Sequence, residues 1–200
     1  MPKTINICLA QINPTVGDIE GNLCLLRSAR NKALHLGADL VVFSELVVTG
    51  YPPEDLMLNK SFQDAAQDAV QQLAVETNDN GPAILLGAPW REESILYNAV
   101  LLLEGGVISA SRFKHHLPNY GVFDEARIFA PGDLPGPIFF KDILIGAMVC
   151  EDMWFNDVSE CLQESGAQIL ISINGSPFEA NKSVIIIGTI FLIVCFVFQV

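Results

Sequence analysis

Four polar side chains close four apolar runs in this sequence. Glu45 ends LVVFSE, Lys114 ends VISASRFK, Cys150 ends ILIGAMVC and Asn174 ends ILISIN. Proteins of the α/β type place their sites at strand ends. A single strand-terminal Glu or Lys is more often a solvated rim residue. A carboxylate, an ammonium, a thiol and an amide at four such ends nevertheless suggest one shared mouth. A thiol attacks as its thiolate, so a base must take its proton, and a carboxylate in a partly desolvated cleft can do so. A carbonyl under attack develops an oxyanion, which an ammonium stabilises. Glu45, Lys114 and Cys150 therefore fit the roles of base, electrostatic stabiliser and nucleophile. Glu151 and Asp152 follow the thiol at once, and their charge disfavours a thiolate. Both are expected to turn away from the sulfur and to bond backbone groups at the strand end.

Two competitors use His115 and His116. Histidine titrates near neutrality, so a Cys–His dyad is the obvious alternative. On a strand, however, adjacent rings point to opposite faces and cannot both reach one thiol. A metal site needs ligands at geometric spacing, and "HH" with "CED" does not supply it. The expectation is no metal, with one histidine exposed and the other in a loop contact. The sequence holds neither GxGxxG nor GxxxxGK[ST], so no phosphate cradle is visible.

The elements that must position these groups are legible. Residues 5–10 alternate as a first strand. Asp18 can cap a helix with Leu23, Leu26, Ala29, Ala33 and Leu36 on one stripe, stopped by Gly37. ADLVVFSE reads as a strand buried on both faces, and TGYPPEDL as a loop. A second helix is expected from Ser61 to about Thr77, with Phe62, Ala66, Ala69, Val70 and Leu73 inward. AILLGAP is another buried strand, and two more flank Gly105-Gly106 as a hairpin. The 115–137 stretch is a long, proline-rich loop, and loops of that length are usually functional or disordered. ILIGAMVC, DVSECLQESG and AQILISING read as strand, helix and strand. Strands alternating with helices give an α/β sandwich whose helices cover its sheets.

Bulk composition narrows the function classes. The chain has 200 residues, enough for one sizeable core. Its net charge is −12, from 11 basic and 23 acidic residues, and it shows no basic stripe, so no nucleic-acid partner is expected. The five cysteines form no CxxC pair, and no apolar leader opens the sequence, so a reducing cytoplasm fits best. Residues 183–200, SVIIIGTIFLIVCFVFQV, are almost wholly apolar. Eighteen such residues sit at the lower edge of what spans a bilayer. A tail anchor, a buried strand pair and an aberrant end foreign to the fold compete, and the last is favoured.

Four stretches occur in order: SELVVTGYPPEDL, FKHHLPNYGVFDEARIF, VCEDMW and INGSPF. In these the chain resembles the nitrilase (carbon–nitrogen hydrolase) superfamily, which uses a Glu–Lys–Cys triad. Within it, the chain is most similar to the amino-terminal glutaminase domain of glutamine-dependent NAD(+) synthetases. The resemblance implies a four-layer αββα sandwich, C-terminally incomplete, over residues 1–182, with 183–200 as an aberrant apolar tail or membrane-spanning segment. It implies Glu45 as general base, Lys114 as stabilising lysine, Cys150 as nucleophile and Glu125 as support for the lysine. Tyr120, Ser176 and Lys182 match positions that hold the substrate, L-glutamine. No cofactor is implied for this domain. ATP with Mg and deamido-NAD belong to a synthetase domain, absent from these residues, that would receive the ammonia. Homo-oligomers are implied, with membrane association only if the tail is native. Another amidase of the superfamily, a membrane-anchored acyltransferase and an inactive truncated fragment are the alternative readings.

Overall fold

The computed structural model describes residues 4–176 and the backbone of a further strand at 192–196. Two helices alternate with the first three strands of the first sheet. Strand β1 (Ile7–Leu9) is followed by helix α1 (Ile19–His35), and β2 (Leu40–Val42) comes next. The Asp18 carboxylate accepts the Gly21 N–H at 2.9 Å, capping α1 as its sequence predicts. Gly37 sits at φ +71°, a left-handed conformation that ends the helix at little steric cost. Helix α2 (Lys60–Glu76) is capped by Asn59, whose side chain accepts the Ser61 N–H at 3.0 Å. Leu36, expected on the inward stripe of α1, is instead 77% exposed because it lies past the last helical turn.

Strands β3 (Ala83–Glu92), β4 (Ile95–Glu104) and β5 (Val107–Phe113) complete the first sheet in the order β1-β2-β3-β4-β5. The first three strands are parallel and the last three antiparallel. The second sheet holds β6 (Ile138–Phe140), β7 (Ile143–Val149), β8 (Ile169–Asn174) and β9 (Leu192–Phe196), in that order. β6 pairs antiparallel with β7, while β7, β8 and β9 run parallel. Helix α3 (Asn156–Glu164) joins β7 to β8.

Two hairpins escaped the sequence reading. β3 turns into β4 through Glu93 and Ser94, both at positive φ, and β6 turns into β7 through Lys141 and Asp142, also both positive. Such turns favour Asn-Gly or Gly-Gly, so these dipeptides gave no signal, whereas Gly105-Gly106 did.

The packing makes four layers. Leu23, Leu26, Ala66, Val70 and Leu73 of the two long helices bury against Val41, Phe43, Ile84, Leu86, Leu101 and Leu103. The alternate residues Leu40, Val42, Leu85, Val100 and Leu102 face the other way, against Ile145, Ala147, Val149, Ile171 and Ile173 of the second sheet. Val158 and Leu162 of α3 cover the outer face of that sheet at Met148 and Leu170. Strands buried on both faces must be apolar at every position, which explains the unbroken runs LVV and LLL. The order helix, sheet, sheet, helix is the αββα sandwich expected.

The expected tail falls almost wholly outside the described residues. Of it, only the backbone at Leu192–Phe196 is described, as the parallel strand on β8. Among the described residues no helix is long and apolar enough to cross a membrane.

Candidate active site

Glu45 lies three residues past β2, in a segment that must cross close above β3. Gly87 on β3 makes the crossing possible. A Cβ there would lie 2.5 Å from the Leu46 nitrogen, 2.6 Å from the Glu45 Cα and 2.7 Å from the Ser44 oxygen. The Gly87 N–H donates to the Ser44 carbonyl at 3.1 Å and fixes the height of the segment. Lys114 follows β5, where its backbone N–H donates to Asn98 at 2.8 Å and so extends the β4–β5 pairing by one residue. Cys150 begins a 3₁₀ turn, Cys150–Trp154, directly after β7 and holds φ at +45°. A non-glycine residue at positive φ is strained, and strain of this kind clusters at functional sites.

The first three of the four predicted strand ends meet. Lys114 is fully buried, and its Nζ lies 2.7 Å from Glu45 Oε1 and 2.8 Å from both oxygens of Glu125. Glu45 Oε1 also accepts from Asn98 Nδ2 at 2.8 Å, and its Oε2 accepts the Gly175 N–H at 2.8 Å. Cys150 is buried beside this group, with its Sγ 3.3 Å from Ser176 Oγ.

Asn174, the fourth, does not join them. It is fully buried, its Oδ1 accepts from Ser172 Oγ at 2.7 Å and its Nδ2 donates to the Met153 sulfur at 3.2 Å. It braces the turn after Cys150, while its neighbour Gly175 reaches Glu45.

Electrostatics set the resting state. Burial is the largest influence on Cys150 and, with the Glu45 charge, pushes its thiol up to about 12, against the opposing pull of Lys114 and Ser176. Cys150 therefore rests as a thiol at neutral pH, and any attack through its sulfur would need a base in contact. Burial alone would lower Lys114, but the charges of Glu45 and Glu125 outweigh it, raise it and keep the ammonium protonated. Burial raises Glu125, opposed by Lys114. The ammonium has three N–H groups. Among the described residues, one on Glu45 and one shared by the two Glu125 oxygens leave a third for an oxygen that gains charge.

Asp152 behaves as expected. Its carboxylate accepts the N–H groups of His115, His116 and Val149 at 3.0, 2.8 and 3.1 Å. Burial nonetheless raises its carboxyl above the usual range. Glu151 differs: among the described residues it bonds no backbone group but accepts the Tyr120 hydroxyl at 2.9 and 3.0 Å. Tyr120 is 59% exposed, and desolvation with the Glu151 charge pushes its phenol up to about 12. Lys182 lies outside the described residues.

Sequence reasoning missed Asn98 and Tyr51. Asn98 sits mid-strand in an apolar run, fully buried, between Glu45 and Glu125. Its amide nitrogen must face these carboxylates, because its oxygen would be repelled. Tyr51 donates its hydroxyl to Glu125 at 3.0 Å, and burial raises that phenol strongly. A lone polar residue inside a both-faces-buried strand was the available signal for Asn98.

The histidine reading needs correction. β5 ends at Phe113, so His115 and His116 are not on a strand and strand alternation does not separate them. Their rings meet edge to face, with centroids 4.6 Å apart, and both turn toward Asp157. A Cys–His dyad has no support, since His116 bonds Asp157 and His115 bonds the Gly132 carbonyl.

Comparison with known proteins agrees with this arrangement. Residues 6–185 match the family model described as carbon-nitrogen hydrolase. A glutamine-dependent NAD(+) synthetase of Rhodobacter capsulatus is 40% identical over 182 residues, covering 91% of this chain and 33% of that protein. One from Thermotoga maritima is 39% identical, covering 92% of this chain and 32% of its own length. The chain thus spans about a third of the length of these relatives. Among solved structures, the glutamine-dependent NAD+ synthetase of Acinetobacter baumannii in complex with ADP superposes with TM-score 0.85 at 32% identity, covering 90% of this chain and 34% of that one. A mutant amidase from Nesterenkonia sp. AN1, with acrylamide added at its active site cysteine, gives TM-score 0.75 at 25% identity over 90% of this chain and 70% of its own. With its four-layer sandwich and a family match over most of its length, the chain belongs to the carbon-nitrogen hydrolase family.

Proposed function

We propose that this chain is the glutamine amidohydrolase unit of a glutamine-dependent NAD(+) synthetase. One observation carries the reading. Lys114, Glu45 and Glu125 form a buried cluster beside Cys150, in a chain 40% identical to such a synthetase over 91% of its length.

Cys150 Sγ attacks the side-chain carboxamide carbon of L-glutamine while Glu45 takes the thiol proton. The free N–H of Lys114 meets the developing oxyanion. As the C–N bond breaks, Glu45 returns the proton to the departing nitrogen, which leaves as ammonia. Glu45 then deprotonates a water, whose oxygen attacks the thioester. The C–S bond breaks, glutamate leaves and the thiol is restored. Glu125, held by Tyr51 and Asn98, keeps Lys114 in place. Tyr120, Ser176 and Lys182 are assigned to holding glutamine. The ammonia would serve amidation of deamido-NAD, with ATP and Mg, in a synthetase domain beyond these residues. Homo-oligomeric assembly belongs to the same reading. The free thiols at Cys8, Cys24, Cys150 and Cys161 suit a cytoplasmic setting.

Ammonia release from glutamine tests this directly, with Cys150→Ala as control. Hydrolysis by the unmodified chain and none by the variant are expected. Undiminished hydrolysis in the variant removes the nucleophile assignment. Turnover of simple aliphatic amides but not glutamine moves the reading to a free-standing amidase, which the likeness to the Nesterenkonia enzyme favours.

A further inference from the structure

The chain directly after Lys114 is tied to α3 by a cluster outside the catalytic group. His115, His116 and Asp157 each bring one ligand atom within 4.8 Å of the others. His116 Nε2 lies 2.8 and 2.9 Å from the two Asp157 oxygens, and His115 Nε2 lies 4.0 Å from one of them.

Each member is already oriented. His115 Nδ1 lies 2.7 Å from the Gly132 carbonyl, which can only accept, so Nδ1 carries the proton and Nε2 is left with a lone pair. A histidine whose second nitrogen donates to a backbone carbonyl is the usual arrangement of a metal ligand. The His116 ring stacks on Phe155, with centroids 3.9 Å apart and planes 20° apart. The Val158 N–H donates to Asp157 Oδ1 at 2.8 Å and sets that carboxylate. The backbone N–H groups of both histidines are held by Asp152. All three side chains keep partial exposure, at 29%, 23% and 46%, so an ion and its water have access.

We propose that His115, His116 and Asp157 form a binding site for one divalent ion of the zinc class. Its ligands are two imidazole nitrogens and one carboxylate oxygen, with water completing the coordination. Two imidazoles select against Mg²⁺ and Ca²⁺, which prefer all-oxygen shells, and favour Zn²⁺ and its neighbours. Metal–ligand distances of about 2.0–2.2 Å put tetrahedral ligands roughly 3.3 Å apart. The His116–Asp157 separation is already near that value, and the His115 nitrogen, 4.0 Å from Asp157 and within 4.8 Å of the other ligand atoms, must draw in by roughly 1–1.5 Å at most. On binding, the His116 Nε2 proton moves to Nδ1 or to water, and the lone pair it leaves bonds the metal. The bound ion then clamps the residue after Lys114 to the first turn of α3.

The test titrates zinc chloride into the full chain against a chromophoric chelator. Asp157→Asn, His116→Gln and the exposed-thiol control Cys24→Ser are measured alongside. One equivalent bound by the unmodified chain is expected, at least tenfold weaker in the first two variants and unchanged in the third. No uptake by the unmodified chain, equal uptake by all four proteins, or loss in Cys24→Ser overturns the site. Zinc protection of both histidines from diethyl pyrocarbonate reads the same contact without any substitution that disturbs the fold. Unprotected histidines in zinc-loaded protein reject it. Cobalt in place of zinc should give nitrogen–oxygen bands in the visible, and a thiolate charge-transfer band would assign the ion to sulfur instead.

Discussion

Glu45 Oε1 and Lys114 Nζ lie 2.7 Å apart, fully buried, although 69 residues separate them in the chain. Glu125 shares the same ammonium, with both its oxygens 2.8 Å from Nζ. On the proposed function, the pairing accounts for how a thiol followed by two carboxylates could act as a nucleophile. The groups proposed to activate it come from the ends of other strands, and the adjacent Asp152 spends its charge on three backbone N–H groups.

Glu45→Gln should separate ionisation from catalysis. The Glu45 charge raises the thiol, so removing it lowers the Cys150 midpoint below about 12. Loss of the base should nevertheless cut glutamine hydrolysis by roughly 10²–10⁴-fold. Thiolate absorbance against pH and ammonia release measure the two effects. A midpoint that stays or rises contradicts the charge coupling.

Lys114→Met leaves two buried carboxylates facing each other without a cation. Removing one partner of a buried ion pair costs about 3–5 kcal/mol. Chemical denaturation should show a loss of that order, and Glu125→Gln added to the same chain should recover part of it. Additive losses in the double variant would mean that the two groups do not interact.

Asn98→Ala removes the amide that bridges Glu45 and Glu125 and should lower kcat at least tenfold. The stability loss should stay within about 1–3 kcal/mol, the cost of leaving a partner unsatisfied. A drop confined to melting temperature, with kcat intact in the folded fraction, would leave Asn98 a packing residue only.

Gly87→Ala should act through Glu45. The added methyl meets the backbone of Ser44, Glu45 and Leu46 at 2.5–2.7 Å, and backbone cannot yield cheaply. A shift of about 1 Å in a catalytic group costs on the order of 10²-fold in rate. Steady-state kinetics should therefore show kcat falling more than KM changes.

Acid stability should carry the mark of the Arg30–Asp79 pair. Arg30 grips both oxygens of Asp79 at 2.7 and 2.9 Å, and that hydrogen bonding pushes the carboxyl down to about 2 from 3.8. A depressed carboxyl stabilises the fold above the unfolded value and loses that contribution as pH falls through the folded one. Asp79→Asn should thus converge on the unmodified chain only as pH drops below about 2 and fall below it at pH 5. With Asp79 half exposed, the gap should be under about 1 kcal/mol. Equal stability at both pH values would show that solvent cancels the pair.

Much of the site could be read from residue order. Apolar runs ending in Glu45, Lys114 and Cys150 announced strands that deliver a carboxylate, a cation and a thiol, because a strand buried on both faces can turn polar only where it leaves the sheet. The caps at Asp18 and Gly37 and the Gly105-Gly106 hairpin were equally local, since a side chain's own geometry fixes them. The Glu93-Ser94 and Lys141-Asp142 turns were hidden, because strand pairing holds their backbones where residue type would not. Leu36 misled for a related reason: helical period continues in the sequence after the helix itself has ended.

The sequence alone determined which chemical groups are available, which elements carry them and the αββα layering. Those follow from local propensity and from hydrophobic period, both properties of neighbouring residues. Only the tertiary structure decided which groups meet. It chose Asn98 over Asn174 as the amide beside Glu45, gave Asp152 to the backbone and Glu151 to Tyr120, and brought Asp157 to two histidines some forty residues away. Such meetings depend on how two sheets stack and on where a glycine lets one segment cross another. Those distances are set by packing across the whole sandwich, and spacing along the chain does not record them.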